Sequence, residues 1–480
     1  MSTETPTQAT GELRRVLGLG DLVLFYTIAV VGLRWVPTAA TLGAASITLW
    51  VLCFVFFFLP LSFTVSELSS RYPEEGGIYV WVKRSFGTFN AFMAGWCYWM
   101  TNIFVFPAVL LFGASNLVNA VPALSRYGSS KAALVVLGCL AVFVAVTLNV
   151  VGLNIGKWLH NTGGIVGTWL SALILIVIGL LAWMKFGTAT DFSLASLRPK
   201  LTGTSDVLLL SNLAFAFAGL ESASSMSGEV RNPKRDIPRA LLVAGAGITF
   251  IYVIGTVSLL LALPPASTSQ LVGITDAIKT AGTRGVGLAF GTVLGLLAAL
   301  LLFVAELGNL GAWMASISRL PYVAGTDGLL PRAFTKLHPR WATPYVALLA
   351  GGSGIALLLI GSLAGQRAEQ AYRMLINVAV ILYFIPYLYM FAALIVLQKE
   401  AVERHVIRVP GGRIGAYVAG AVGFLVTTVS IVLSFLPARD VDNQLVFVAK
   451  IIGSVGVILG IGITVFLFNK RRRKRETDHG

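Results

Sequence analysis

Apolar runs long enough to cross a bilayer follow one another from one end of this 480-residue chain to the other. A hydrocarbon core about 30 Å thick takes roughly 20 helical residues to cross. Runs of that order fall near 18–42, 44–66, 89–119, 131–152, 160–184, 207–229, 239–263, 286–316, 344–363, 371–398, 414–436 and 445–468. The expected fold is therefore all-α and membrane-integral, with about 12 transmembrane helices. Hydrophobic residues make up 56% of the chain and charged residues only 12%, about half the charged share of a soluble domain.

The formal net charge of +15 does not point to nucleic acid, because the bases sit at span ends rather than on one polar face. They follow the positive-inside bias of multi-pass proteins. Arg14, Arg15, Arg71, Lys83, Arg84, Lys157, Arg231, Lys234, Arg235 and Arg239 share one side, as do Arg319, Arg332, Lys336, Arg340, Lys399, Arg404, Arg408 and Arg413. That side reads as cytoplasmic, with both termini on it and the chain in the inner membrane. The polar start, Met1 to Glu12, leads into a full span, so no cleavable signal is expected. Cys53, Cys97 and Cys139 lie in apolar segments and read as small buried hydrophobes. The four histidines are scattered, and no phosphate-binding glycine loop occurs, so no metal, no cofactor, no enzyme activity and no ATP drive are expected.

Two spans carry the chemistry. In the first, Gly32, Arg34 and Pro37 stand at mid-depth; in the sixth, Gly219, Glu221 and the hydroxyls of Ser222, Ser224 and Ser225 do. Glycine permits unwinding and proline removes a helix hydrogen bond. Interrupted backbone at that depth has to line a cavity. Matched interruptions in two halves of a chain are the sequence pointer to a transporter site between inverted repeats. Half-helix N-termini favour a carboxylate and free carbonyls favour an ammonium, which together suit a zwitterion. The candidate binding residues are Val31, Gly32, Arg34, Trp35, Phe215, Phe217, Ala218, Gly219 and Glu221. Arg34 faces either a substrate carboxylate or an acid of the protein. Glu221 and Glu306 are the candidates for proton coupling, since removing water from a carboxylate penalises its charge. Tyr383 and Tyr387, one turn apart in the tenth span, are expected to face the cavity as gate residues. Glu67 and Glu229 lie nearer the inner surface. Segments 67–87 and 317–343 read as amphipathic hairpins there, with Tyr79 and Trp81 at the membrane interface.

Several strings match a known family. They are Ser66-Glu67-Leu68 with Pro73-Glu74-Glu75-Gly76-Gly77-Ile78-Tyr79, and Phe217-Ala218-Gly219-Leu220-Glu221 leading into Gly228-Glu229-Val230-Arg231-Asn232-Pro233-Lys234-Arg235-Asp236-Ile237-Pro238. In these the chain resembles the amino acid–polyamine–organocation superfamily over its whole length. Ala305-Glu306-Leu307, Ser316 to Arg319, Leu329 to Phe334, Val409 to Gly412, Leu433 to Pro437 and Trp35 to Thr38 make it look most like the bacterial glutamate/GABA antiporter group.

The resemblance implies a leucine-transporter-like fold. Five spans (18–185) and an extracytoplasmic loop (186–206) would be followed by five inverted spans (207–398), two additional helices (399–468) and a basic tail (469–480). It implies alternating access with an amino acid exchanged or carried with protons; a polyamine or organic-cation transporter of the same fold is the alternative, and a non-transporting sensor or complex subunit is a third. It also places Glu306 and the two tyrosines along the pathway. Three features depart from the family. Val31-Gly32-Leu33-Arg34 replaces the Gly-Ser-Gly cradle of many relatives. The fifth span has no lysine, with Gly167 near the level where proton-coupled relatives place one. The long C-terminal plug of the acid-resistance antiporter is not expected.

Overall fold

The computed structural model describes residues 15–74, 76–121, 131–199, 204–363, 368–400, 406–436 and 444–478. The N-terminal tail to Arg14, Glu75, Arg126, Lys200, Arg367, Arg404, His405, Pro437, Arg439 and His479 lie outside that set. The helices are α1 (Leu19–Val30), α2 (Trp35–Ala40), α3 (Ala45–Arg71), α4 (Ile78–Ala120) and α5 (Lys131–Val151). Next, α6 (Leu153–Thr162) runs directly into α7 (Gly163–Phe186). A second series follows: α8 (Thr204–Ala216), a 3-10 stretch Ser222–Glu229, α9 (Pro233–Ala262), α10 (Gly273–Gly285), α11 (Leu288–Ile317) and α12 (Arg319–Thr326). Then come α13 (Tyr345–Ser362), α14 (Ala368–Leu397), α15 (Gly412–Ser434) and α16 (Gln444–Asp478).

Among the described residues, ten helical segments are long and apolar enough to cross a membrane unaided. The two expected spans missing from that set are the first and the sixth. Each is split. The pieces are 12 and 6 residues in the first, 13 and 8 in the sixth. At about 1.5 Å per residue none of the four reaches across 30 Å. The span count is thus reached only by joining each pair across its break. Counted this way, five spans run from the first break to the end of α7 and five from α8 to the end of α14, and α15 and α16 follow them.

Packing follows from the solvent. Val136, Phe143, Leu173, Val293, Leu357, Val432 and Val457 are exposed apolar side chains on the outer faces, where lipid tails replace water. Inside, small residues let helices close. A Cβ on Gly163 would lie 2.7 Å from the Gly308 Cα, and one on Gly167 would lie 2.5 Å from the Ala305 Cα. Helix α7 therefore packs backbone to backbone on α11, a small-residue contact typical of membrane bundles. This also accounts for the fifth span's missing lysine: at Gly167 there is no room for any side chain.

The inner hairpin differs from expectation. Helix α3 continues to Arg71, and α4 starts at Ile78 and kinks at Gly87, where φ is +81°. Tyr79 and Trp81 are buried in protein rather than standing at the membrane interface. The hairpin folds under the bundle, so the Tyr79 hydroxyl donates to Asp327 and the Trp81 indole reaches the Tyr72 carbonyl at 3.4 Å. Its two glycines fit that position: a Cβ on Gly77, at φ +48°, would lie 3.1 Å from the Ser224 carbonyl carbon. The fifth helical segment begins at Leu153, ahead of the expected residue 160.

Candidate functional site between the two interrupted helices

Between Val30 and Trp35 the first span has no helical ladder. Its backbone groups are met by side chains from elsewhere. The Ala29 carbonyl accepts from the Trp313 indole at 2.8 Å. The Tyr252 hydroxyl lies 2.7 Å from the Val30 carbonyl and accepts from the Gly32 N–H at 3.2 Å. The same hydroxyl lies 2.8 Å from the Ala216 carbonyl of the sixth span. One tyrosine of α9 therefore serves both interruptions. Trp50 stacks on it at 4.6 Å and 9°, which fixes its ring.

In the sixth span the chain turns at Gly219, whose φ of +117° lies where only glycine sits without strain. Its N–H donates to the Tyr387 hydroxyl at 2.9 Å. The Glu221 side chain, fully buried, accepts from three tyrosines. Tyr98 and Tyr383 donate to Oε1, the latter at 2.6 Å, and Tyr387 donates to Oε2. Burying a carboxylate without partners costs several kcal/mol, and these three hydroxyls offset that cost. They also tie α4 and α14 to the break.

Arg34 is buried with its Nη1 3.3 Å from Glu306 Oε2 on α11. Its guanidinium also lies 5.0 Å from the Trp35 ring. The Nε of Arg34 has no hydrogen-bond partner. A cavity of about 30 Å³ lies beside it, lined by Arg34, Trp35, Asn102, Phe215, Asn309 and Tyr383 among others. Asn102 donates to the Tyr98 carbonyl at 2.9 Å, and its Oδ1 is buried without a partner. Two of the lining residues thus each carry an unsatisfied polar atom, a donor on Arg34 and an acceptor on Asn102. The volume suits one or two water-sized molecules. Trp35 and Phe215 close one side edge to face at 5.7 Å, and Phe215 meets Tyr383 in the same way at 5.3 Å.

Of the residues singled out in sequence, Arg34, Trp35, Phe215, Ala218 and Tyr383 line this cavity. Val31, Gly32 and Gly219 shape the breaks around it. Glu306 reaches it through Arg34, and Glu221 and Tyr387 through hydrogen bonds. Phe217 is packed instead among Trp50, Phe58 and Tyr252. Glu229 holds Arg319 in a buried two-pronged pair at 3.0 and 2.9 Å. Glu67 accepts from Gln398 at 2.7 Å and from the Val409 N–H at 2.9 Å. Sequence reading missed Tyr98, Asn102, Tyr252, Asn309 and Trp313. Helical spacing held a signal for most of them. Asn309 and Trp313 stand three and seven residues after Glu306, and Tyr98 and Asn102 are four apart, so each set shares a face.

The profile described as Amino acid permease matches residues 17–458. The chain belongs to this permease family. An uncharacterized transporter of Legionella pneumophila is 26% identical over 460 residues, covering 95% of this chain and 97% of the relative. A probable agmatine/putrescine antiporter of Lactococcus lactis is 23% identical, covering 76% of the permease and 75% of the relative. A glutamate/gamma-aminobutyrate antiporter of the same species is 24% identical, covering 85% and 81%. The permease is thus a membrane transporter by family.

Proposed function

We propose that the permease moves an amino acid across the cell membrane by alternating access, as a secondary antiporter or proton symporter. The observation that carries this reading is that two residues lining one cavity between the two breaks each hold an unsatisfied buried atom, Arg34 Nε and Asn102 Oδ1. A zwitterion complements them, with its carboxylate toward the guanidinium and its ammonium toward the amide oxygen. Each unmet buried group costs about 1–3 kcal/mol, so a ligand that meets both gains from the desolvation already incurred. The cavity is too small for an amino acid as it stands, which calls for a state in which the aromatic wall of Trp35 and Phe215 opens.

Agmatine and putrescine, which one relative's name records, fit less well. A fixed guanidinium repels a second cation over a few ångströms at low dielectric. The bias of the bases supports a topology with both chain ends in the cytoplasm. Counterflow into proteoliposomes, with a panel of amino acids and diamines, tests the reading. Saturable exchange of at least one amino acid is expected, with Asn102→Leu raising KM for it at least several-fold. Exchange confined to diamines, or none at all, would refute it.

A further inference from the structure

A second cavity, of about 790 Å³, opens on the face that carries the basic loops. Three separate parts of the fold meet around it. Lys83 and Thr88 come from the start of α4, Asp327 and Arg332 from the segment after α12, and Asn469 and Arg472 from the end of α16. The volume lies in the range of small-molecule sites. Its charge is unbalanced: three cationic side chains line it against one carboxylate. Lys83 Nζ lies 2.6 Å from Asp327 Oδ2, and Asp327 also accepts from Tyr79. Counted over the lining side chains alone, the formal charge is positive. The hydroxyls of Thr326 and Thr335 donate to backbone carbonyls at 2.7 and 2.8 Å. Recognition therefore falls to the two guanidinium groups, whose planar forks match phosphate oxygens.

The surroundings indicate what carries the phosphate. Just above Asn469 on α16, Leu467 and Phe468 are exposed, and further along the helix so are Ile463, Ile461 and Val457. Beside Thr88, Phe89 is exposed and meets Phe466 edge to face at 5.1 Å. An apolar strip about one leaflet deep thus runs down to a polar, cationic cavity. That is the outline of an amphiphile, with acyl chains on the strip and the headgroup below. The face is also the one the positive-inside bias assigns to the leaflet with anionic lipids.

We propose that this cavity binds a phosphate-bearing anion, and specifically the headgroup of an anionic phospholipid, through Arg332 and Arg472. Bound there, the lipid touches α4, the α12 connection and α16 at once and braces them against one another.

The test uses the full-length permease in a neutral detergent. Thermal shift is titrated with dioctanoyl phosphatidic acid, with dioctanoyl phosphatidylcholine as the neutral counterpart, and with inorganic phosphate. Saturable stabilisation by phosphatidic acid and not by phosphatidylcholine is expected. At about 1 kcal/mol for each base, R332Q/R472Q should weaken it roughly thirty-fold, and K399Q/R413Q, bases outside the cavity, should leave it unchanged. Thr88→Trp puts a bulky ring into the cavity wall, keeps every charge, and should also weaken the shift. An equal, saturable shift with inorganic phosphate, lost in the same variants, would keep the phosphate site and assign it to the free anion. No saturable shift with either probe, or a shift unaltered in R332Q/R472Q or in Thr88→Trp, overturns the proposal.

Discussion

Arg34 and Glu306 offer a way to separate what holds the fold from what reads the cargo. Their side chains are 8% and 4% exposed and join the first break to α11. Removing one partner of a buried pair costs about 3–5 kcal/mol, because the remaining charge is left uncompensated. The geometry argues for the lower end: there is one N···O contact at 3.3 Å, and Arg34 Nε has no partner at all. Arg34→Met and Glu306→Leu should therefore each destabilise by about 3 kcal/mol. The double variant should cost no more than either single, since an apolar replacement of a whole pair is close to neutral. That implies a coupling of about 3 kcal/mol, at the top of the range for residues in contact. Equilibrium unfolding in mixed detergent micelles gives the three differences. Counterflow on the same preparations gives the second readout. The double variant should stay folded, with no greater loss of stability than either single, yet bind its amino acid much more weakly, because Arg34 Nε is gone. Losses that simply add in the double variant would refute the ion pair. A double variant with wild-type KM would refute a recognition role for Arg34.

Three further outcomes follow from the geometry. Gly219→Ala forces a side chain into φ +117° and puts its Cβ 3.0 Å from Trp313; about 1–3 kcal/mol of stability and most counterflow should be lost, measured by thermal unfolding and proteoliposome exchange. Tyr252→Phe leaves the Gly32 N–H and two carbonyls without their hydroxyl; a loss of about 1–3 kcal/mol is expected in the same unfolding assay, with faster amide exchange confined to both breaks. Gly167→Ala drives a Cβ into the α11 backbone and should lower the melting temperature by several degrees, whereas Gly163→Ala at the neighbouring crossing should do the same; Gly187→Ala, where a Cβ meets nothing within 4 Å although φ is +75°, should show only the smaller backbone penalty.

The spans and both breaks were legible because their causes are local. Twenty apolar residues make a crossing helix whatever they pack against, and a glycine beside a charge at mid-depth marks an interruption from sequence alone. The partners were not legible, because they come from helices far away in the chain. Nothing near Tyr252 announces that its hydroxyl sits between Val30 and Ala216. Nothing near Arg34 selects Glu306 over Glu221 as its acid. Tyr79 and Trp81 misled for the same reason: an aromatic at a span end has the same local signature whether it meets headgroups or another loop. Phe217 was placed by nearness to the break, but its side chain leaves the backbone on the far side, toward Trp50 and Phe58.

The bonds that satisfy the two breaks also limit how the permease can open. Backbone left bare at this depth would be costly, so each break is held by side chains from other helices: α9 through Tyr252, α11 through Trp313, and α14 through Tyr387. Tyr252 joins the breaks to each other, so the two interrupted spans move together or the hydroxyl gives up one of them. The Glu221 cluster is different. It bonds α4 through Tyr98 and α14 through Tyr383 and Tyr387, and Tyr383 is also part of the cavity wall. Any motion that widens the cavity on that side withdraws a hydroxyl from a buried carboxylate. A carboxylate that loses a donor at this depth needs a proton or another donor in its place. We propose that opening on that side is therefore coupled to what Glu221 holds, while the cargo's ammonium stays with Asn102.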